Sequence, residues 1–504
     1  IWRDCARFYV KAALCHVLFK LVHGLLRHAR MWWVLRDMPH ADCHRSAVLG
    51  SLSALGANIH RLNHWRDEIS KGKKICKMSL VAWDPGAVFL TVRDPAAIKH
   101  VLKDNFSGYT KNSPRDDIFW NCLNYWLGNG IFTSQHGVGA GDGGARWAYQ
   151  RKLTSNIFTR EKMRTTMTQV FVQKGYRFRE VLRQKAGVVD LQKLFFCYTM
   201  DSIMKLFFLE ECDTLGGQEW AYGSAFDEAH RSMFKYVYEG LPFFALCDIM
   251  PFPFGGLRGL AMQAYNSVNG QYRQFVRQVS VLDRESQKVI DKCRRDPNLA
   301  NRTDVLALYM NAVAADGMGE LEANKFLRDA VLNLVIAGRD TTACTLSWMF
   351  FILATNPDIQ ERVRAEVDLK LPRGTDPTLE LLSDSSMPCL HALLYETLRL
   401  YPPVPFDGKT AMADDVLPDG TRIPKGAAME YFAWISGRDA ERYPEPEKVM
   451  LERWIPFRSP PPHEFPVFQA GPRICLGMDM AIFESKVVAS MLLQDFKFSM
   501  AAEE

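Results

Sequence analysis

The sequence predicts a mainly α protein with small β-sheets that folds as a single domain. Long stretches of helical periodicity dominate the chain, whereas strand-like segments are confined to residues 79–92 and 404–432. No Gly/Ser-rich linker, charge run or internal repeat divides the 504 residues. We therefore expect one large domain, although the length alone would suggest about three.

Composition narrows the class of protein. Apolar residues make up 48% of the chain and charged residues 24%, which is typical of a globular protein with a large core. The net charge of +5 and the lack of a Lys/Arg-rich block give no support for nucleic-acid binding. The twelve cysteines show no Cys-x-x-Cys pair and no zinc-like spacing, so we expect a reducing compartment with mostly buried free thiols.

The N-terminal segment predicts a helix that associates with a membrane surface. Residues 8–26 are mostly apolar, but a helical wheel places His16, Lys20 and Arg27 on one face. A spanning helix needs about 20 predominantly apolar residues, so this stretch fits a helix lying in the interface better. The alternative is an ordinary amphipathic terminal helix. We assign residues 1–38 to this segment and 39–504 to the main domain.

Turn signals predict two β-hairpins and one flexible loop. Asp84-Pro85-Gly86 predicts a turn between two short strands within residues 79–92, and Pro418-Asp419-Gly420 predicts the tip of a second hairpin. The glycine-rich segment 137–144 predicts a flexible loop. No Gly-Lys-Ser/Thr follows it, so a phosphate cradle is not indicated.

Residues 324–355 predict one apolar helix about 48 Å long. In its middle stands the run Ala337-Gly338-Arg339-Asp340-Thr341-Thr342. Small residues at 337 and 338 would admit a flat ring, and Thr341 can bond back to its own helix and open a groove. Asp340 and Thr341 together could relay protons. The alternative is a helix with a weak glycine kink and a solvated Asp–Arg pair.

Two spacings on other predicted helices place functional groups on one face. Trp147 and Arg151 are four residues apart, so the indole N–H and the guanidinium could bind one carboxylate. The alternative is a cation–π pair. Glu396 and Arg399 are three residues apart, which by itself is a common surface ion pair.

One cysteine lies in an unusual run near the C-terminus, Phe468-Gln469-Ala470-Gly471-Pro472-Arg473-Ile474-Cys475-Leu476-Gly477. Gly471 and Gly477 allow close backbone approach, and Arg473 is a permanent cation suited to carboxylates. Phe468 supplies an aromatic wall, and a Cys475 thiolate could ligate a metal. The alternative is a buried free cysteine beside a turn.

The pattern Phe-x-x-Gly-x-Arg-x-Cys-x-Gly resembles the haem-ligating loop of the cytochrome P450 family. The matching motifs span residues 147–477, and weaker resemblance covers roughly 80–500. The resemblance implies the cytochrome P450 fold as a single haem-enclosing domain that uses haem b and O2. The chain has no flavin or nicotinamide fingerprint, so NADPH electrons are expected from a separate reductase. Arg146, Lys152 and Arg160 are candidate docking charges for it.

The resemblance also implies roles for the motif residues. Cys475 would be the axial ligand of the haem iron, and Asp340 and Thr341 the acid–alcohol pair that delivers protons. The residues implied in binding the rest of the haem are Arg473, Trp147, Arg151, Phe468, Gly471, Gly477, Ala337 and Gly338. Glu396, Arg399 and Arg453 would form a structural network, although Leu451 stands where the family usually has proline.

The flanks of these motifs resemble the plant and algal fatty-acid ω-hydroxylases. The similar segments are Asn333–Ile336, Phe468–Arg473, and Val404–Lys409 ahead of Asp414–Gly420. The branch implies hydroxylation of a long-chain fatty acid near its methyl end at the cytosolic face of the endoplasmic reticulum, or alternatively at a plastid envelope. The apolar tunnel would be lined by Val335, Ile336, Val404 and Phe406. Residues 437–444 depart from the branch.

Three alternative functions stay open. The enzyme could oxidise another lipid, such as a sterol or terpenoid. A haem-thiolate isomerase or lyase acting on lipid hydroperoxides needs no oxygen-activating alcohol, so the Asp340–Thr341 pair speaks against it. A non-catalytic haem-binding or gas-sensing protein would leave the catalytic motifs unexplained, and no signalling module accompanies them.

Overall fold

The computed structural model describes residues 26, 29–46, 50–79, 88–111, 118–136, 142, 144–185, 187–249 and 255–501. Most of residues 1–38, the Asp84-Pro85-Gly86 turn, the interior of the glycine-rich segment and the apolar run 250–254 lie outside this part of the chain. The structure confirms the predicted class, since helices dominate the described residues and the strands among them form two small sheets.

The helices fall into a first group before the glycine-rich segment and a second, longer group after it. The first group contains α1 (Leu52–Asn58), α2 (Leu62–Ser70), α3 (Pro95–Lys99) and α4 (Ile118–Leu127). The second contains α5 (Ala145–Ser155), α6 (Arg160–Lys162), α7 (Thr168–Gln184), α8 (Leu191–Phe208), α9 (Ala221–Ile249), α10 (Gly255–Val268), α11 (Gly270–Arg294), α12 (Val305–Ala315), α13 (Glu320–Thr355), α14 (Pro357–Lys370), α15 (Pro388–Leu400), α16 (Ala433–Ser436) and α17 (Met478–Asp495).

Several of these helices begin where side chains satisfy free backbone N–H groups. Asp190, Asn269 and Asp304 cap α8, α11 and α12 by accepting hydrogen bonds from the third residue along. Pro357 and Pro388 occupy the first positions of α14 and α15, where the missing N–H is not needed. The predicted long helix is confirmed as α13, which runs unbroken for 36 residues.

The main sheet joins two distant parts of the sequence. Its strands are β1 (Ile75–Ser79), β2 (Val88–Val92), β3 (Tyr109–Thr110), β4 (Asp407–Ala411) and β7 (Ala428–Tyr431), in the order β1-β2-β7-β4-β3. Among these five strands, β2 and β7 pair in parallel, with Leu90 opposite Met429, and the other neighbouring strands pair antiparallel. β2 and β7 are neighbours in the sheet but not in the sequence, where the helices from α3 to α15 lie between them.

Two strands were predicted around each turn, and two are found in each case. The first strand, however, begins earlier in the sequence than predicted. β1 and β2 pair antiparallel from Ile75 opposite Val92 to Ser79 opposite Val88, so the first strand begins before residue 79. The second hairpin is confirmed as β5 (Asp415–Val416) and β6 (Arg422–Ile423). Prediction missed β3, which is only two residues long.

The main hydrophobic core surrounds α13. This helix packs against α8, α11, α15 and α17, and its buried side chains include Val331, Leu346 and Phe350. A smaller core lies under the main sheet and contains Leu90, Tyr109 and Met429. Within the described ranges, no helix is both long enough and apolar enough to cross a bilayer.

Candidate functional site

The run that contains Cys475 forms a tight loop between two short 3-10 turns and α17. The Cys475 N–H donates to the Phe468 carbonyl at 2.9 Å, and the Ile474 N–H donates to the Gly471 carbonyl at 3.0 Å. Gly471 has φ of +66°, and a Cβ there would lie 2.0 Å from the Leu102 carbonyl oxygen. Glycine is therefore required at this position. Gly477 directly precedes α17.

The Cys475 thiol is accessible and yet surrounded by protein. Its side chain is exposed, unlike those of Cys76, Cys122 and Cys293. Burial nevertheless raises the pKa of the Cys475 thiol, opposed by a hydrogen bond from the Gly477 backbone and by the Arg151 charge. Cys475 is thus accessible to solvent although the protein around it disfavours a charged thiolate. The nine cysteines whose side chains the structure describes are all free.

Arg473 is held in place on every side. Its Nε donates to His136 Nδ1 at 2.9 Å, Nη2 donates to the Ser134 carbonyl at 2.5 Å, and Nη1 donates to the Ile131 carbonyl at 3.3 Å. The guanidinium carbon lies 4.6 Å from the Trp147 ring centre. Burial lowers the pKa of Arg473 to about 9, with Asp407 opposing this effect. Such a fixed cation is oriented for an anionic partner.

A second buried group of charges adjoins Arg473. Lys409 Nζ lies 3.2 Å and Lys111 Nζ 3.7 Å from Asp407 Oδ2, and Gln469 also donates to this carboxylate. Burial opposes ionisation of Asp407, but the two lysines outweigh it and lower the pKa of this carboxyl. Burial also lowers the pKa of Lys409 to about 8. Three cations thus share one carboxylate in this cluster.

The residues around Cys475 fit a flat, doubly anionic group such as haem. The cluster of Arg473, Lys409 and Lys111 carries more positive charge than Asp407 neutralises, which would suit two carboxylates. Burial lowers the pKa of His136 to about 3 and Nδ1 accepts from Arg473, so Nε2 of the neutral ring carries a proton that it can donate. Next to this cluster lies an accessible thiol of the type that binds haem iron. Side chains in the described ranges form no separate cluster of three or more metal ligands.

Trp147 and Arg151 share one helix face, as their spacing predicts, and both lie next to this cluster. The Arg151 guanidinium lies 5.8 Å from the Trp147 ring, which is the predicted cation–π alternative. Arg151 also interacts electrostatically with Cys475, although burial lowers the pKa of Arg151. Trp147 packs beside His136, with the ring centres 5.8 Å apart. The helix that carries both residues begins at Ala145, after Asp142 accepts hydrogen bonds from the backbone N–H groups of Gly144 and Arg146.

Asp340 forms part of a buried chain of charges in α13. Its Oδ1 accepts from Arg339 Nη1 at 2.8 Å, and Arg339 also binds Asp227 of α9 at 2.7 Å. Burial is the main influence that raises the pKa of Asp340 to about 6, with Asp227 adding to it and Arg339 opposing it. Arg339 is 4% exposed, so the pair is not the solvated surface pair that was the alternative reading of the sequence.

Thr341 bonds back to its own helix, as predicted. Its Oγ1 donates to the Ala337 carbonyl at 2.7 Å. The predicted opening of the helix is not observed, because α13 stays α-helical through this bond. Gly338 has a packing role on one side, since a Cβ there would lie 2.3 Å from Ile203 of α8. Its small size therefore allows close helix–helix contact.

Glu396 is the centre of a fully buried network. Arg399 binds both of its oxygens at 2.7 Å, and Arg453 lies 3.4 Å from Oε1. The sequence did not reveal the third partner, Trp454, whose Nε1 donates to Oε2 at 2.9 Å. Leu451 is buried at the start of the same short turn, so the departure from proline leaves the network intact.

The four predicted tunnel residues have different surroundings. Val335 is fully buried in the main core, and Ile336 is partly buried against it. Phe406 stacks on Phe432 at 5.2 Å in a separate small cluster, and Val404 is 48% exposed. Full burial gives Val335 no accessible surface, so an open tunnel in this structure would be lined by the other three.

Several site residues were missed by sequence reasoning. They are His136, Lys111, Asp407, Lys409, Asp227 and Trp454. His136, Lys111, Asp227 and Trp454 meet their partners across at least 58 residues of sequence, as Trp454 and Glu396 do, so no local spacing could reveal them. Asp407 and Lys409 are only two residues apart, but their link to Lys111 is equally distant in sequence. The nearest signal was Lys409, which ends the segment 404–409 that resembled the hydroxylase branch.

Comparison with known proteins identifies relatives across most of the chain. A family model described as Cytochrome P450 matches residues 79–504. Cytochrome P450 94C1 of Arabidopsis thaliana is 32% identical over 427 residues, which covers 82% of this chain and 79% of the relative. Cytochrome P450 704C1 of Pinus taeda is 29% identical over 479 residues, covering 90% and 86%. Cytochrome P450 monooxygenase cyp1 of Mycosarcoma maydis is 30% identical over 411 residues, covering 78% and 60%.

Proposed function

The chain belongs to the cytochrome P450 family and is a haem monooxygenase, and we propose that it hydroxylates a long-chain fatty acid near the methyl end. The observation that carries the haem site is Cys475, an accessible thiol in a buried setting beside an excess of positive charge. The substrate class rests on the flanks of the motifs, above all residues 404–409. Two of the relatives described above are plant proteins, consistent with the plant and algal branch.

Haem, when bound, supplies the iron at which O2 is reduced and one oxygen atom is transferred to an unactivated C–H bond. We propose that the Cys475 sulfur would hold this iron. Arg473, Arg151 and Trp147 would bind the haem carboxylates, and we propose Lys409, Lys111 and His136 as further partners. Phe468 and the glycines of the loop would flank the ring, together with Ala337 and the accessible side of Gly338.

Asp340 and Thr341 would move the protons that the reaction consumes. Hydroxylation of one C–H bond by O2 takes up two electrons and two protons and releases water. A carboxyl with a pKa of about 6 can both hold and release a proton near neutral pH. The Thr341 hydroxyl donates to the Ala337 carbonyl, so it would have to turn away from this carbonyl before it could donate its proton onward and accept another that originates from Asp340.

Electrons come from a redox partner in this family, and we propose an NADPH-dependent cytochrome P450 reductase. Lys152 and Arg160 are exposed, as docking charges must be. Arg146 is less suitable, because its guanidinium lies 5.5 Å from the Phe326 ring and its Nε is buried without a hydrogen-bond partner among the described residues.

Residues 1–38 are proposed to associate with the membrane surface, with residues 39–504 as the monooxygenase domain. The support within the described part of this segment is Trp32 and Trp33, each 63% exposed, since Trp favours the membrane–water interface. Arg36 lies 3.9 Å from the Trp33 ring. We propose the cytosolic face of the endoplasmic reticulum, with a plastid envelope as the alternative.

Turnover by the purified protein tests the substrate class. The protein would be supplied with a reductase, NADPH and a panel of saturated, unsaturated and hydroxylated fatty acids together with sterols and terpenoids. Mass spectrometry would locate the added oxygen. Oxygen on the terminal carbon of a fatty acid is the expected result. Product from sterols or terpenoids alone would contradict the fatty-acid proposal, and NADPH-independent conversion of a fatty-acid hydroperoxide would indicate an isomerase or lyase.

A further inference from the structure

The loop after α4 is clamped by two polar side chains of α13. Asp329 Oδ2 accepts from the Asn129 N–H at 2.8 Å. Asn333 binds the loop twice, because its Oδ1 accepts from the Phe132 N–H at 3.0 Å and its Nδ2 donates to the Leu127 carbonyl at 2.8 Å. Both side chains are 1% exposed. Because they are four residues apart, they lie on the same face of α13.

The glycines of this loop fit the two side chains closely. A Cβ at Gly128 would lie 1.9 Å from Asp329 Oδ1, and a Cβ at Gly130 would lie 2.1 Å from Asn333 Nδ2. Gly128 also has φ of +63°, which other residues rarely adopt. The loop can therefore approach α13 only because these two positions lack a side chain.

The same loop holds Arg473 on its other side. Arg473 donates to the carbonyls of Ile131 and Ser134. The Ile131 carbonyl belongs to the same peptide as the Phe132 N–H, which Asn333 binds. A trans peptide is planar and directs these two groups in opposite directions. One rigid peptide thus connects Asn333 directly to Arg473.

We propose that Asp329 and Asn333 are positioning residues that fix the loop of residues 128–136, and through it the guanidinium of Arg473 in the haem-carboxylate site. Without the clamp, the loop carbonyls would no longer be held where Arg473 needs them, and the cation would lose its orientation. The inference rests on the haem site of the proposed function and is independent of the substrate.

Haem release from the loaded protein tests this proposal. The variant Asn333→Leu would be compared with Gln360→Leu, since Gln360 is a similar buried amide that binds the backbone of Leu353 and Phe498 away from this loop. Haem transfer to excess apomyoglobin and hydrogen exchange of residues 128–136 would be measured together with thermal unfolding. We expect about tenfold faster haem loss in Asn333→Leu, the factor expected for one buried polar contact left unmade. Faster amide exchange in the loop should accompany it.

Gln360→Leu should lower thermal stability to a similar degree as Asn333→Leu. It should leave the rate of haem transfer and the hydrogen exchange of residues 128–136 unchanged. Equal haem loss and equal loop exchange in the two variants would overturn the proposal, whereas a wild-type protein that binds no haem would overturn the proposed function itself. Two further comparisons test the proposal if the Asn333→Leu variant does not fold. Asp329→Asn keeps an acceptor for the Asn129 N–H and should lose haem more slowly than Asp329→Ala. Gly130→Ala should displace Asn333 and reproduce the fast loss, and wild-type behaviour in Gly130→Ala would also overturn the proposal.

Discussion

Asp227 on α9 forms a two-contact ion pair with Arg339 on α13, with Nη1–Oδ1 and Nη2–Oδ2 distances of 2.7 and 3.1 Å. The same guanidinium binds Asp340, the next residue, and lies 4.6 Å from the Phe196 ring. The Asp227 side chain is 53% exposed and the Asp340 side chain 22%. A half-exposed carboxylate is thus connected through a buried cation to Asp340, the acid of the proposed acid–alcohol pair.

Replacing Asp227 should change the pH dependence of turnover. The negative charge of Asp227 helps to raise the pKa of Asp340, so Asp227→Asn should lower that pKa below about 6. The decline in product formation at rising pH, where Asp340 loses its proton, should therefore shift to lower pH. The measurement is the pH profile of kcat. Glu228→Gln on the same helix, where Glu228 pairs with Arg231, is the control and should leave the profile unchanged, and an unshifted profile in Asp227→Asn would contradict the account.

Asp340→Asn should slow turnover and stabilise the fold. We expect product formation to fall by about 10²-fold, which is typical for loss of a proton-transfer group. The folded-state pKa of about 6 exceeds the unfolded value of about 3.9. The folded state therefore holds the proton more tightly, and the carboxyl lowers stability progressively as pH rises from about 4 to 6 and fully above that.

Denaturant unfolding measures this second effect. Asp340→Asn should gain up to about 3 kcal/mol above pH 6, and the gain should shrink as pH falls towards 4. A gain that grows on acidification would show that the carboxylate is stabilising in the folded state.

Trp454→Phe should destabilise the protein without changing its products. The indole N–H donates to the fully buried Glu396 carboxylate, and a hydrogen bond to a charged group contributes about 1.5–3 kcal/mol. Trp126→Phe is a matched control, because Trp126 is 1% exposed and its indole N–H has no partner among the described residues. The free energies of unfolding of both variants give the difference. Equal losses would mean that the Trp454–Glu396 bond contributes nothing beyond packing.

Lys409→Met should weaken haem retention. The ammonium is buried next to Asp407 and close to Arg473, so its loss removes one of the four cations proposed to face the haem carboxylates. We expect haem transfer to apomyoglobin to become at least about tenfold faster, as for loss of a buried charged contact. Lys448→Met, at a side chain 60% exposed, should behave as wild type. Identical rates in the two variants would exclude Lys409 from the site.

Local patterns in the sequence correctly predicted the helical class, the long helix α13 and the hairpin of β5 and β6. Helices and hairpin turns are decided mainly by residues that are neighbours in the sequence. The 3.6-residue period and strong turn residues are therefore enough to predict them. The start of β1 at Ile75 was missed because its pairing partner, Val92, decides it.

The interior of the site depends on pairings that no local pattern contains. Asp407 interacts with Lys111 across almost 300 residues, and Arg473 binds His136 over a separation of 337. Gly128 and Gly130 resemble ordinary loop glycines in the sequence. Only the structure shows that Asp329 and Asn333 occupy the space beside them.

The most direct test of the central claim is the CO spectrum of the reduced, haem-loaded protein. Wild type should give a thiolate-type spectrum, and Cys475→Ala should lose it because no other sulfur is proposed to reach the iron. Cys212→Ala, which removes a partly buried thiol of a different region, should keep it. A thiolate-type spectrum that persists in Cys475→Ala would contradict the assignment of Cys475 as the haem ligand and the function built on it.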